Sequence, residues 1–262
     1  MGSDGTRPSA RLRSRMSTST PVSITVRGFD LVEGLMGRVN LGDMAFLELM
    51  GRLPSEAESV LFNAMLVSLV EHGITPNTIA ARLTYLGAPE SLQGAVAAGL
   101  LGLGTVFVGT MEGAARMLQE ARPEAEGTAD LQALAESIVR EHRERKELLP
   151  GIGHPIHKPV DPRATRLFTL ADEQGLAGPY IRLMQHIGVE AERQTGRALP
   201  INVTGAIGAL ASEMEIPWQI CRGIGLMARS IGLVAHLLEE MRDPMAVEIW
   251  RRVEEEAGEG DE

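Results

Sequence analysis

Gly151-Ile-Gly-His154-Pro-Ile-His157-Lys158-Pro-Val-Asp161-Pro-Arg163 is the stretch from which the rest of the chain can be read. Its glycines let backbone amides come close to a ligand, and Pro155 and Pro159 stiffen the path. An imidazole, an ammonium and a guanidinium fall within ten residues of one another. Such a loop suits an anion. By composition alone a second reading stays open, a Gly/Pro loop whose charges simply face water.

On both sides of this loop the apolar spacing is helical almost throughout. Ser55 with Glu58 forms a capping box after Pro54, and Leu61, Met65, Leu66 and Leu69 follow on one face, which predicts a helix to about Glu71, broken by Gly73 and Pro76. Further helices are expected at 77–86, 90–103, 110–121, 129–147, 161–174, 178–195, 203–214 and 217–241. Only Val22 to Arg27 alternates as a strand does. Aromatic residues make up 3% of the chain while Ala, Leu, Gly and Met abound, a composition for helices packed through small side chains. The expected fold class is therefore all-α.

Ala95 to Leu103 and Ile224 to Leu238 are apolar on most of their helical surface, so each must be covered by other helices or by a second subunit. A chain of 262 residues surrounds two or three central helices with difficulty, and a homodimer solves the problem. Residues 1–20, rich in Ser, Thr, Arg and Gly, read as a disordered tail. Val253 to Glu262 reads as a solvated acidic terminus.

A net charge of -10 argues against nucleic acid as a partner, because phosphate binding needs clustered cations. The single cysteine, Cys221, excludes an internal disulfide and a Cys-cluster metal site, which fits a reducing cytoplasm. No run of about 18 apolar residues appears, and Arg7, Arg11, Arg13 and Arg15 are followed by Ser/Thr rather than by an apolar leader, so neither membrane nor secretion is expected. The thirteen Met residues read as packing.

Written as Gly-x-Gly-His-Pro-x-x-Lys-x-x-Asp-Pro-Arg, the opening stretch resembles the signature loop of the citrate synthase and citryl-CoA lyase superfamily, the lyase branch in particular, including the C-terminal domain of ATP citrate lyase. Val70-Glu71-His72-Gly-Ile-Thr-Pro76-Asn77-Thr78 resembles that family's Asp-His-x-x-Asn-x-Ser-Thr helix start. Gly99 to Gly109 is similar to its Gly-rich turn, Asn202-Val-Thr204-Gly205 to its Asn-Val-Asp segment, and Ala228-Arg229-Ser-Ile-Gly232-Leu-Val-Ala-His236 closes the match.

The resemblance implies a citrate synthase-like dimer with a large helical domain, 21–106 plus 206–262, and a smaller one, 107–205, around a substrate cleft. It implies His72 and His154 as imidazoles at the hydroxyl or carbonyl oxygen of a di- or tricarboxylate, Arg163 and Arg229 as carboxylate clamps, and Asn202 beside them. Gly151, Gly153, Ile156 and Lys158 would meet coenzyme A, here a thioester substrate such as acetyl-CoA paired with an oxoacid such as oxaloacetate. Neither a bound cofactor nor a metal is implied.

Two departures bear on the reaction. Phe107 stands where synthases place a histidine, as the lyase branch tends to have it. Thr204 stands where the family's proton-transferring carboxylate belongs, and a threonine hydroxyl is not ionised near neutral pH. His157, Glu112 and Glu213 are the substitutes nearest in sequence, His157 the best of them, whereas His186 and His236 read as helix-face or core histidines, His236 with the alternative, from its place in a family motif, that it shapes the site. Three functions follow: a citryl-CoA lyase-like enzyme, a non-catalytic binder of acyl-CoA and carboxylate, or a thioester reaction that deprotonates no carbon acid.

Overall fold

A computed structural model describes residues 14–123, 128–153 and 159–258. It divides into two compact units, Met1–Ser55 and Glu56–Glu262.

The first unit contains a three-stranded antiparallel sheet of β1 (Ser17–Ser19), β2 (Ile24–Val26) and β3 (Phe29–Asp30). Arg27 (φ 50°) and Gly28 (φ 89°) link β2 to β3 as a two-residue turn with both φ positive, the form whose twist suits a hairpin. Asp30 then caps a short π turn at Leu31–Leu35, its Oδ1 accepting from the amides of Val32 and Glu33. Helix α1 (Leu41–Met50) starts at Asn40, whose side chain accepts from the Asp43 amide at 2.8 Å, and stops at Gly51 with φ 73°. Val26, Leu35 and Leu47 form its small core.

The expected tail is corrected here. Residues 1–13 lie outside the described residues, but 17–19 form a strand. Strands of two or three residues carry no measurable alternation, so the sequence hid β1 and β3. Helix α1 also went unread, although Asn40 is an ordinary N-cap signal.

The second unit consists of α2 (Glu56–Val70), α3 (Pro76–Gly87), α4 (Leu92–Leu101), α5 (Gly109–Ala121), α6 (Thr128–Glu144), α7 (Pro162–Glu173), α8 (Pro179–Thr195), α9 (Val203–Glu213), α10 (Trp218–Arg242) and α11 (Ala246–Gly258). Helix α10 packs against α2, α3, α4, α5 and α9. Helix α9 meets α5, α7, α8 and α10, and from Gly205 to Ser212 every residue is buried. Six of the eight are Gly, Ala or Ser, and their small size lets the neighbours come close. A Cβ added at Gly208 would come within 2.8 Å of both the Ala114 Cβ and the Ala115 amide nitrogen of α5. Each fully buried Leu, Ile or Met side chain of this core contributes on the order of 2 kcal/mol.

Most expected helices stand within a few residues of their predicted limits. The 129–147 helix ends early, at Glu144, followed by Lys146 in the left-handed region at φ 56°. The acidic terminus is solvated as expected from Val253 to Gly258, and it is also helical there, with an Arg252–Glu248 pair one turn apart. Residues 259–262 lie outside the described residues.

The two apolar helices are covered only in part. Helix α4 buries Ala95 and Gly99 but leaves Leu101 exposed. Along α10, Ile231, Val234, Leu238 and Met241 form an exposed row at helical spacing. By length and composition alone α10 could cross a membrane, yet it is the central packing helix and carries Arg229, His236, Glu239 and Glu240.

Candidate functional site

Where α2 ends, the chain turns at Glu71-His72-Gly73. The Glu71 carboxylate folds back over the turn, with Oε1 accepting from the amides of His72 (2.8 Å) and Gly73 (2.5 Å). His236 Nε2 from α10 lies 3.0 Å from Glu71 Oε1 and 2.9 Å from its Oε2. Burial opposes the charge on Glu71, but the bonds from His236, His72 and Gly73 outweigh it and hold the carboxyl below the usual range. The His72 side of this turn is exposed, free to meet a ligand.

Behind it, His236 Nδ1 sits 2.9 Å from Nη2 of Arg82, a residue with no exposed surface on α3. Arg82 Nη1 donates to Glu240 at 2.7 Å, and Nη2 also donates to Glu239. Glu240 in turn accepts from the amides of Met245 and Ala246. Two helical turns before His236, the Arg229 guanidinium is half-buried and its Nη1 has no hydrogen-bond partner among the described residues. Burial pushes its pKa down, with Glu71 partly compensating. A buried donor of a group that only donates, left without an acceptor, is what an anion would satisfy.

The second cluster is built on the first turn of α9. Asn202 caps that helix: its Oδ1 accepts from the Thr204 amide (3.0 Å), the Gly205 amide (3.2 Å) and the Thr204 hydroxyl (2.6 Å). Its Nδ2 donates to the Gly153 carbonyl at 2.7 Å. The Gly153 amide donates to Pro200 O and the Asn202 amide to Gly151 O, so residues 151–153 run antiparallel to 200–202. Gly151, at φ 80°, passes so close to Gly205 that no side chain fits.

On the other side of the loop, Asp161 caps α7 and accepts from the Arg163 amide, from Arg163 Nε (3.1 Å) and Nη2 (2.9 Å), and from the Val203 amide of α9 (2.9 Å). Burial raises its pKa, but these bonds together bring it below the ordinary carboxylate value. Both described flanks of the loop are thus fastened to α9. His154, Ile156, His157 and Lys158 lie outside the described residues.

Thr204 is fully engaged. Its oxygen accepts from the Thr110 hydroxyl at 3.0 Å while its own O–H is directed at Asn202. Of the expected substitutes for a carboxylate, Glu112 pairs with Arg222 at 2.8 Å. Glu213 is a correction: it does not lie near Thr204 but sits at the far end of α9, about 13 Å along the axis. There it accepts from the Ile181 amide and caps α8, and burial pushes its carboxyl up against the bonds from Ile181 and Tyr180. Cys221 is buried, its thiol pushed up to about 12 mainly by burial, which leaves it inert as a nucleophile. Among the described residues no three His, Cys, Asp or Glu side chains gather as a metal would require.

The structure therefore joins Arg229 to the His72 turn, and Asn202, Thr204, Gly151, Gly153 and Arg163 to the start of α9. Helix α2 packs on both α7 and α10, and α9 on α10, so both clusters belong to one packed group of helices. Sequence reasoning missed Thr110, Arg222 and Arg82, and it placed Glu71 and His236 in motifs without seeing that they meet. The one local signal for Arg82 was its place on the α3 face that also carries Thr78, a face buried at both positions.

The model of the citrate synthase C-terminal domain matches residues 39–252. Citrate synthase 2 of Bacillus subtilis is 28% identical over 191 residues, 72% of this chain and 49% of that protein. The citrate/2-methylcitrate synthase of the same organism is 30% identical over 202 residues, 74% of this chain and 51% of that protein. The chain spans about half the length of these curated relatives. Among solved structures, citryl-CoA lyase from Hydrogenobacter thermophilus superposes with a TM-score of 0.80 at 36% identity, covering 88% of each chain. ATP citrate lyase from Methanothrix soehngenii shares the fold, with a TM-score of 0.73 at 22% identity over 90% of this chain and 40% of that one. A family match over residues 39–252, with a structural match over 88% of the chain, makes this chain a member of the citrate synthase family.

Proposed function

We propose that this chain is a citryl-CoA lyase-like enzyme, cleaving or forming the carbon–carbon bond between an acetyl-CoA-type enolate and an oxoacid such as oxaloacetate. The observation that carries the reading is the likeness to the citryl-CoA lyase from Hydrogenobacter thermophilus, at 36% identity and a TM-score of 0.80. Phe107 in the Gly-rich turn supports it. So does the unpartnered Arg229 guanidinium beside the His72 turn, a place for a substrate carboxylate.

In the cleavage direction His72 or His154 removes the hydroxyl proton of the citryl thioester, the C–C bond breaks, and oxoacid and acyl-CoA enolate result. The enolate must then gain a proton, and Thr204 provides no acid, so water supplies it slowly. Arg163 and Asn202 border the carboxylate, and Gly151, Gly153, Ile156 and Lys158 receive coenzyme A. Residues 107–205 act as the smaller domain closing on the rest. The enzyme works in the cytoplasm as a homodimer, in which a second copy covers the exposed row of α10 and Leu101.

One observation favours a second reading. The uncharged chain Thr110 to Thr204 to Asn202 suits a thioester reaction without enolisation, such as acyl-CoA hydrolysis or transfer.

The test is a mass-spectrometric screen of citryl-CoA and a panel of acyl-CoA and oxoacid pairs, with sedimentation of the same preparation at micromolar concentration. Slow release of acetyl-CoA and oxaloacetate from citryl-CoA, by a dimer, is expected. Rapid hydrolysis of another acyl-CoA with no citryl-CoA cleavage would establish the second reading, and a stable monomer would overturn the dimer.

A further inference from the structure

We infer that Arg82, His236 and Glu71 form a positioning relay that fixes the His72 turn in the geometry the reaction needs. The inference rests on the reading of His72 as the imidazole at the substrate oxygen.

The polarity of the relay is dictated by its first member. A guanidinium has donors only, so at 2.9 Å from Arg82 Nη2 the His236 Nδ1 must present its lone pair. The ring proton is then on Nε2, pointing at the Glu71 carboxylate at 2.9–3.0 Å. Glu71 spends its remaining acceptor capacity on the amides of His72 and Gly73. Donation therefore runs from Arg82 to His236 to Glu71, and the backbone on both sides of the His72–Gly73 peptide hangs from the end of it.

The root of the relay is as firmly set. Arg82 is held by Glu239 and Glu240, and Glu240 is itself pinned by the amides of Met245 and Ala246 where α11 begins. Elements from α3, α10 and α11 thus converge on one exposed turn. Glu71 alone suffices to cap such a turn. Burying an arginine completely and a histidine nearly so adds a desolvation cost, and what it secures is a defined position. With both ring nitrogens committed, His236 is no proton carrier for the substrate; it is a positioning residue.

The experiment compares His236→Leu, which removes the donor to Glu71, with His236→Gln, which keeps an N–H to offer it, in the full-length protein. Hydrogen exchange of the His72 and Gly73 amides is measured without ligand, kcat and KM with citryl-CoA, and coenzyme A affinity by calorimetry. In His236→Leu the two amides should exchange at least tenfold faster and kcat should fall at least tenfold, with coenzyme A affinity within twofold. His236→Gln should recover most of both losses. Unchanged exchange in a folded His236→Leu protein, or a Gln variant as impaired as the Leu one, overturns the relay. If His236→Leu does not fold, Glu71→Ala at the exposed end must release the same amides tenfold, and protection that persists there overturns it equally. Absence of citryl-CoA turnover in the parent defeats the functional reading alone, because the exchange measurement needs no substrate.

Discussion

The two halves of the candidate site are built from opposite materials. At the end of α2 every partner is charged or charge-assisted: Arg82, Glu239, Glu240, His236, Glu71 and the unpartnered Arg229. At the start of α9, Thr204 is held by a neutral chain, Thr110 to Thr204 to Asn202. The first half keeps the equipment for holding an anion. The second offers a hydroxyl at Thr204 where the family resemblance leads one to expect a carboxylate, and it has the cap, the loop anchors and the close approach of Gly151 to Gly205. A binding geometry and a proton inventory are therefore separable within one family fold, and the variants below act on one half at a time.

The largest expected effect is on the charged half. In Arg82→Met, Glu240 loses its buried cation and His236 loses the donor at its Nδ1, with Glu240 only 4% exposed at its side chain. Breaking a buried pair from one side costs roughly 3–5 kcal/mol, because the partner charge is left uncompensated. Urea unfolding should show that loss, and the double variant Arg82→Met/Glu240→Met should recover much of it. A single variant within about 1 kcal/mol of the parent would mean that the charged half is held by something else.

A smaller effect, with a pH signature, is expected at the joint between the halves. Asp161 has its pKa lowered in the folded protein because bonds from Arg163 and Val203 outweigh the cost of burial. A carboxyl with a lowered folded pKa binds fewer protons folded than unfolded, so its stabilisation is present above the ordinary carboxylate value and fades as pH falls through the lower, folded one. Asp161→Asn keeps the shape but loses charge-assisted acceptance, which should cost about 2 kcal/mol at pH 7. The gap between parent and variant should hold from pH 7 to about 5 and shrink below about 4. A gap that widens with acid would contradict the assignment. Glu240, also lowered against burial by the Ala246, Arg82 and Met245 bonds, titrates on the same limb in both proteins.

How much of this could be read in advance follows the range of the interactions. Helices α2 to α10 were legible because their apolar spacing and stops, such as Ser55, Gly87, Pro162 and Gly196, are local. The strands and α1 were too short, and the Glu-rich composition of α11 masked a helix that i,i+4 pairs support. At the site, Arg229, Asn202 and Thr204 stood out through their motifs. The relay did not, since Arg82 meets His236 across 154 positions, and the capping of α8 by Glu213 spans 32. No local pattern encodes such contacts. They exist only once α3 lies on α10 and α9 on α8.

Thr204→Asp is the mildest change and acts on the neutral half alone. The new carboxylate would stand in the first turn of α9, where the helix dipole favours negative charge, and the Thr110 hydroxyl is already oriented to donate to that position. Against it, Asn202 Oδ1 lies 2.6 Å from the oxygen being replaced, and two acceptors cannot share that spacing. Asn202 must turn away and weaken the α9 cap, a loss of about 1 kcal/mol of stability that a thermal scan will show. If the enolate of a citryl-CoA cleavage waits for a proton from water, an acid in that place should raise turnover at least tenfold, about 1.4 kcal/mol of barrier. The gain should vanish when His154→Ala is added, because the hydroxyl proton must leave before any enolate forms. A Thr204→Asp variant that is folded, slower than the parent on every thioester, and paired with a parent that hydrolyses acyl-CoA rapidly would show that the hydroxyl chain is itself the working machinery, and the lyase reading would give way to the second one.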